Sequence, residues 1–279
     1  MTEIAIVTGA DATYAGLLEE CLSSIRDKPE SRGITLCLLD VGLGPHRERL
    51  AALADRRVEP GWDIDFPTRA ATPGYYRAML ARPFLPRHFP GHRLYLWIDA
   101  DAWVQDWRAV ELFLEAARQT DEKGTPTLAM VPEIDRSYRN FFHAWEEFHG
   151  VIHRSYVDAF DEATADELVR YPLLNSGVFA LAAKAPHWQA WGDTLAQALQ
   201  RTASSLVEQA AFNHMVYRQK LPAHFLPSWC NWICHHAAPR RDPATGVLTE
   251  PLLPYQRLGI VHRTLWTKGE KGLRYPTSS

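Results

Sequence analysis

The feature that most restricts how this chain can fold is a series of short apolar runs, each followed by a helical repeat. Ile34–Leu39 is an apolar run ending at Asp40, as a strand buried on both faces reads. Ile4–Thr8 is a second such run, after which Leu17, Leu18, Cys21, Leu22 and Ile25 recur at helical spacing. Gly44-Pro45 opens the next helix, with Pro at a tolerated first-turn position and Leu50 and Leu53 facing inward. Leu94–Ile98 is the strongest strand after that, and a helix follows around Val110–Ala117. This β-α-β-α order predicts a parallel sheet covered by helices, a design that binds ligands beyond the carboxyl ends of its strands.

Composition narrows the class. Of 279 residues, 46% are apolar and 11% aromatic, enough for a sizeable core, which excludes disorder, collagen and coiled coil. Thirty Lys and Arg stand against 33 Asp and Glu, a net charge of -3, so no basic face for nucleic acid is expected. No apolar run approaches the ~20 residues of a membrane helix, and residues 1–8 lack a basic, signal-like start. The expectation is a soluble, cytoplasmic protein. Cys21 and Cys37 sit in apolar periodic segments, as small core residues do. Cys230 and Cys234 precede His235 and His236, but zinc would want four ligands and no second Cys/His pair stands at finger-like spacing.

The second half reads as mixed α/β. Ile134, Tyr138, Phe141, Phe142, Trp145 and Phe148 form an aromatic stripe at helical spacing, read as core packing. Residues 151–170 are acidic and helical, Leu173–Leu181 is strand-like, and Trp188, Trp191, Leu195 and Leu199 mark a further helix. Another helix spans roughly Leu206–Arg218, short strands fall at Ala223–Leu226 and Gly259–Thr264, and Pro239–Pro254 reads as a loop. One domain over residues 1–279 is the simplest count.

The most informative segment is Arg93-Leu-Tyr-Leu-Trp-Ile-Asp99-Ala-Asp101, a buried strand ending in two carboxylates one residue apart. Carboxylates are hard oxygen ligands for Mg²⁺ or Mn²⁺, ions that bridge to phosphate oxygens. At a strand's carboxyl end the pair sits where an α/β sheet presents its ligand. Asp-x-Asp by itself is also compatible with simple turn capping.

An apolar strand, Asp-x-Asp and further apolar residues resemble the metal-binding motif of GT-A fold glycosyltransferases, and later segments are similar to glycosyltransferase family 8. Leu174-Asn175-Ser176-Gly177-Val178-Phe179 resembles that family's Asn-Ser/Ala-Gly-Val segment. Glu208-Gln209-Ala-Ala-Phe-Asn213 is similar to its Asp-Gln-Asp-x-Leu-Asn segment, with both acids changed or lost. Leu226-Pro227, Trp229 and Asn231 resemble its Leu-Pro…Trp-Asn element. His262 and Lys268 keep two positions of its His-x-x-Gly-x-x-Lys-Pro-Trp tail, with Leu265 in place of Gly and Gly269-Glu270 in place of Pro-Trp. Upstream, Ala10-Asp11-x-x-Tyr14 resembles the turn that holds the nucleotide base, and Tyr76-Arg77 a region near the diphosphate.

The resemblance implies a GT-A fold, a mixed, mostly parallel sheet flanked by helices. Residues 1–105 would form the nucleotide-binding half and residues 106–279 the sugar and acceptor half. It implies a retaining transfer from a nucleotide-sugar, a UDP-sugar above all, with Mn²⁺ or Mg²⁺ held by Asp99, Asp101 and His262. Thr8, Ala10, Asp11, Tyr14, Arg77, Asp99, Ala100 and Lys268 are its expected donor contacts. Gln209, Glu208 and Asn175 are its expected catalytic-centre residues. Because an amide is a poor nucleophile, Gln209 is cast as a positioning group. Each residue has a plainer reading: Ser205-x-x-Glu208 fits a capping box, Asp11 an N-cap, and His262 a hydrogen-bonded strand residue. The acceptor would be a glycan, a lipid-linked sugar or a protein, with peripheral membrane contact in the lipid case. Trp103, Trp107, Trp229, Trp232 and Trp266 are candidates for an acceptor platform. Two other readings stand beside this one. The changed tail and Ala210 suit a GT-A-shaped nucleotide- or sugar-binding protein without catalysis that serves in a glycan-assembly complex. Thr8-Gly9 invites a dehydrogenase, whose further glycines are absent at Thr13 and Ala15.

Overall fold

The structure, a computed structural model, describes residues 3–139 and 145–276. From the amino terminus run β1 (Ile4–Ala10), α1 (Ala15–Arg26), β2 (Thr35–Asp40), α2 (Arg47–Ala51), β3 (Arg56–Val58), α3 (Tyr76–Ala81) and α4 (Leu85–His88). There follow β4 (Leu94–Ile98), β5 (Ala102–Val104), α5 (Trp107–Ala117), β6 (Leu128–Pro132), α6 (Trp145–Ala159), α7 (Glu162–Leu168), β7 (Leu174–Ala182), α8 (His187–Leu199) and α9 (Val207–Tyr217). Short strands complete the chain: β8 (Ala223–Phe225), β9 (Trp232–Ile233), β10 (Arg240–Arg241), β11 (Leu248–Thr249) and β12 (Ile260–His262).

Seven strands form one sheet in the order β3-β2-β1-β4-β7-β6-β8. Pairings within β3-β2-β1-β4 and between β6 and β8 are parallel, whereas β7 runs antiparallel to both β4 and β6. The sheet is therefore mixed and mostly parallel, as expected. A second sheet, β5-β12-β9, lies beyond the end of β4. Two expectations need amending. The Pro239–Pro254 segment contains the β10–β11 hairpin, and Leu128–Pro132, for which no strand was expected, supplies an inner strand next to the edge strand β8. Of the aromatic stripe, Tyr138 is buried and Phe148 packs against the core, whereas Ile134 is exposed and not core; Phe141, Phe142 and the Trp145 side chain lie outside the described residues.

The sheet is buried on both faces because its strands alternate apolar side chains between two cores. Ala5, Val7, Tyr95, Trp97, Phe179 and Leu181 face one core with α8 and α9. Ile6, Leu94, Leu96, Ile98, Val178 and Ala180 face the other with α1 and α5. Gly9 is needed at the β1–β2 contact, where a Cβ would lie 2.6 Å from the Leu39 Cβ. That close approach accounts for the Thr8-Gly9 pair without any phosphate role. Trp191 is fully buried between Phe179 and Phe212, with ring centroids at 5.2 and 4.8 Å. Trp191→Ala is expected to lower unfolding free energy by about 3–5 kcal/mol, with an unchanged urea m-value; a loss under about 1 kcal/mol would show that this core is loosely packed.

Candidate active site

The carboxyl end of β4 is where the site is built. Asp99, Ala100 and Asp101 connect β4 to β5, and the Asp99 amide donates to the Gly177 carbonyl at 2.8 Å, continuing the β4–β7 ladder by one bond. The ladder's register sets Ile98 opposite Val178, so Asn175, Ser176 and Gly177 are carried past the end of β4 to face the two aspartates. β12 pairs with β5, placing His262 opposite Ala102 and hence beside Asp101. Helix α9 is clamped to the start of β7 by Asn213, whose Oδ1 accepts from the Leu174 amide at 2.8 Å and whose Nδ2 donates to the Leu174 carbonyl at 3.0 Å. That clamp sets Glu208 and Gln209 at the cleft wall.

The resulting cleft has a volume of about 510 Å³. Ala10, Asp11, Tyr14, Asp99, Ala100, Asp101, Asn175, Glu208, Gln209, His262 and Lys268 all line it, so the structure brings together these widely separated expected residues. Two of the expected donor contacts do not line it. Thr8 is fully buried inside β1. Arg77 donates its guanidinium N–H groups to the carbonyls of Gly74, Pro60 and Val41, the last at 2.7 Å, which commits it to holding loops. The arginine in the cleft is Arg82, five residues later, which sequence reasoning missed. Its signal was a single charge in the apolar stretch Met79-Leu80-Ala81-Arg82-Pro83-Phe84-Leu85, a setting that requires a buried partner.

Asp99, Asp101 and His262 each offer one ligand atom, all within 4.8 Å of one another, and form the one such metal-compatible cluster among the described residues. His262 Nε2 stands 3.2 Å from Asp101 Oδ1 and 3.8 Å from Asp99 Oδ2. Two hard oxygens and an imidazole nitrogen suit Mn²⁺ or Mg²⁺ with positions left for phosphate or water. A larger recess of about 630 Å³, lined mostly by residues of α6 and α7, contains no such cluster among the described residues. Gly177 leaves the room these groups need, since a Cβ there would lie 2.4 Å from His262 Cε1 and 2.7 Å from Asp99 Oδ2. Gly177→Ala is expected to weaken Mn²⁺ binding at least about tenfold, read by titration calorimetry; wild-type affinity would remove the cluster from consideration.

The charges are closely balanced. Arg82 Nη2 meets Asp99 Oδ1 at 2.5 Å while its Nη1 reaches Glu208 Oε2 at 3.0 Å, and its guanidinium lies 4.9 Å from the centre of the Trp97 ring. Lys268 Nζ bonds Asp101 Oδ2 at 3.0 Å and the Tyr14 hydroxyl at 2.6 Å. Burial pushes Asp99 upward against the pull of Arg82, with the like charge of Asp101 adding to the rise. Asp101 experiences the same burial, but the charges of His262 and Lys268 and their hydrogen bonds outweigh it and hold its carboxyl well below the usual range. His262 and Lys268 are raised in turn, Asp101 overcoming their burial.

Glu208 does not close a capping box. Leu206 is the N-cap of α9 and makes no side-chain capping bond, while Glu208 Oε2 accepts from Ser176 Oγ at 2.9 Å and from Arg82. Burial raises Glu208 to about 7, despite Arg82 and Ser176 and with a contribution from Asp99. Its value in the folded chain thus exceeds the ordinary one. The associated stabilisation is complete below the ordinary value of 4.5 and is lost as pH rises through about 7. Urea unfolding of wild type and Glu208→Gln should show wild type gaining relative to the variant at pH 5 compared with pH 8; a pH-independent difference would mean Glu208 is ionised throughout.

The Asp11 carboxylate accepts from the Thr13 amide at 2.9 Å, so it caps the turn that carries Tyr14 while lining the cleft. Glu133, at the end of β6, is a second residue that sequence reasoning missed. Its Oε1 accepts from Asn175 Nδ2 at 2.8 Å and from Gln209 Nε2 at 3.4 Å, and its Oε2 pairs with His236 Nε2 at 2.8 Å. Its signal was the one Asp99 has, a carboxylate directly after an apolar strand. Burial pushes Glu133 up, but His236 and Asn175 hold it below the ordinary range. Of the candidate platform tryptophans, Trp103, Trp107 and Trp232 are buried in the cores, Trp229 is half-buried, and Trp266 is 60% exposed beside the cleft residue Leu265. Leu265 itself has φ of 50°, a left-handed conformation uncommon outside glycine. All four cysteines are buried free thiols.

The backbone decides the fold. Similar solved structures include WbbM, a bifunctional glycosyltransferase in its apo form, with a TM-score of 0.54 and 16% identity over 83% of this chain. A second is the galactosyltransferase LgtC in complex with donor and acceptor sugar analogs, with a TM-score of 0.54 and 17% identity over 92% of this chain. An active-site Gln-to-Glu mutant of LgtC gives a TM-score of 0.52 at 16% identity over the same 92%. The chain has the GT-A glycosyltransferase fold. It spans 40% of the length of WbbM and 86% of LgtC. No protein-family model and no curated protein matches the sequence. Within the GT-A fold, the Asp99–Asp101 segment occupies the crevice at the carboxyl ends of the parallel strands, where open α/β sheets bind ligands. No helix among the described residues is long and apolar enough to cross a membrane.

Proposed function

We propose that this chain is a retaining glycosyltransferase that moves a sugar from a UDP-sugar to a glycan, lipid-linked or protein acceptor with Mn²⁺ or Mg²⁺. The observation that carries the reading is the Asp99–Asp101–His262 cluster, set in a GT-A cleft next to Lys268. Breaking the glycosidic bond leaves negative charge on a nucleoside diphosphate, and a bound divalent ion would supply Lewis-acid stabilisation of that charge. Asp99, Asp101 and His262 would hold the ion. Lys268, paired with Asp101 at 3.0 Å, would offer its ammonium to the diphosphate. Ala10, Asp11 and Tyr14 line the amino-terminal side of the cleft and suit the base and ribose, with Ala100 between the two aspartates. Arg82, Glu208 and Asn175, which also line the cleft, suit the sugar.

Gln209 is the one glutamine lining the cleft. In LgtC a glutamine belongs to the active site, which supports a place for Gln209 near the reacting carbon. Tethered to Glu133 at 3.4 Å and chemically a poor nucleophile, it would position and stabilise charge. The sugar's retention of configuration rests on the family 8 resemblance of the Asn175, Glu208 and His262 segments.

Thermal unfolding with UDP at about a hundredfold over its dissociation constant should show ~2.7 kcal/mol of stabilisation, a rise of roughly 5–10 °C, when Mn²⁺ is present and much less without it. Asp101→Asn should stay folded and lose the metal-dependent part. A panel of UDP-sugars incubated with Mn²⁺ and scored by released UDP tests turnover. Absence of any metal-dependent shift would sink the proposal, and metal-assisted binding with no UDP released from any donor would mark a binding protein without catalysis.

A further inference from the structure

The polar groups behind the cleft form a directed chain of hydrogen bonds that ends on His262. It starts at Glu133, 6% exposed, on whose carboxylate N–H groups of Asn175, His236 and Gln209 converge. An amide side chain has no preferred end of its own, so its partners decide which way it faces. Asn175 must turn its Nδ2 toward the Glu133 acceptor, 2.8 Å away. Its Oδ1 then accepts from the backbone N–H of Gly177 at 3.0 Å, a donor that cannot reverse. Both demands agree, and the orientation of Asn175 is determined twice.

The second amide follows. Asn175 Oδ1 also accepts from Asn231 Nδ2 at 3.0 Å, which turns Asn231 Oδ1 toward His262 Nδ1 at 3.1 Å. An oxygen at that position requires a proton on Nδ1. Nε2 is then the nitrogen left facing Asp101 and Asp99. Asn231 is fully buried and His262 is 2% exposed, so water does not compete for these bonds.

We propose that Glu133 and Asn231 are positioning residues for a divalent-cation site, fixing through Asn175 the His262 tautomer whose Nε2 faces the metal. The proposal rests on the metal-dependent reading above and adds to it two residues that touch neither metal nor substrate. Groups behind metal-bound histidines set ring orientation and basicity, and their loss typically weakens metal binding about 10–100-fold. Glu133 also tethers Gln209, so one buried carboxylate orients groups on both the metal side and the sugar side of the cleft.

The test uses the full chain and Mn²⁺ alone, with free Mn²⁺ counted by its EPR signal. Glu133→Met removes the acceptor at similar volume, Glu133→Gln keeps an acceptor oxygen, and Asn231→Leu removes the last link. Glu133→Met and Asn231→Leu should weaken Mn²⁺ binding about 10–100-fold, and Glu133→Gln by less than about threefold. In metal-free protein labelled with ¹⁵N-histidine, the buried Nδ1–H of His262 should give a slowly exchanging signal in wild type and Glu133→Gln. That signal should exchange rapidly or vanish in the other two variants, a change that a general loss of packing rescued by no conservative variant would not produce. Should Glu133→Met fail to fold, Asn231→Leu reads the same chain one link closer. Wild-type Mn²⁺ affinity or an unchanged Nδ1–H signal in Asn231→Leu and Glu133→Met would overturn the proposal. If wild type bound no Mn²⁺ while the Nδ1–H signal still depended on Glu133, the cation reading of the cleft would fall and the hydrogen-bond chain would remain.

Discussion

The cleft depends on one antiparallel pairing, that of β4 with β7. In a mostly parallel sheet β7 runs against both its neighbours, and against β4 this brings the start of one strand to the end of another, so Asn175, Ser176 and Gly177 meet Asp99. The bond from the Asp99 amide to the Gly177 carbonyl extends that ladder to the point where the backbone leaves the sheet. Asp99 is thereby tied to strand geometry, which is stiffer than a loop, and Asp101 follows two residues later in the turn to β5. Everything else is attached to that junction: His262 through β5 and β12, and Glu208 and Gln209 through the Asn213 clamp on Leu174.

The junction also concentrates charge. Asp99, Asp101 and Glu208 lie within a few ångströms of Arg82, His262 and Lys268, largely out of water, where each pairing is strong and each unpaired group is costly. Glu208 shows the result: Arg82 must serve it and Asp99 together, and one Glu208 oxygen and the Arg82 Nε are left without a partner. Buried polar atoms without partners are uncommon in folded proteins, and each is costly. Here Glu208 and Arg82 both line the cleft, on the part that the proposed function gives to the sugar.

The fold was readable from the chain because its strands are apolar on both faces and its helices carry one apolar stripe. Ile34–Leu39 and Leu94–Ile98 are unambiguous for that reason. Asp99 and Asp101 were readable because two charges directly after such a strand cannot be serving the apolar core. The roles of Arg82 and Glu133 and the reversed direction of β7 were not, even though both charges stand out against apolar residues, and the reason is shared. Each is defined by a partner far along the chain: Arg82 by Glu208, Glu133 by Asn175 and His236, and β7 by β4. Local periodicity reports which face of an element is buried, but not which distant polar group will meet it. Arg77 illustrates the converse. It sits in the expected region and carries the expected charge, yet three nearby carbonyls take its donors.

Leu265 bears on how the cleft can change rather than on how it is built. A leucine held at φ of 50° costs roughly 1–2 kcal/mol relative to ordinary helix-side backbone, which glycine would avoid. Glycine would in turn lose about 0.5–1 kcal/mol through the greater freedom of its unfolded chain. The difference favours glycine by at most about 1.5 kcal/mol, so folding stability exerts only modest pressure on which residue stands there. The side chain is 65% exposed at the cleft, beside Trp266, and removing it would change the outline of the opening more than the stability of the protein. Position 265 is accordingly a site where the range of molecules admitted to the cleft can drift or be engineered without endangering the fold that holds it.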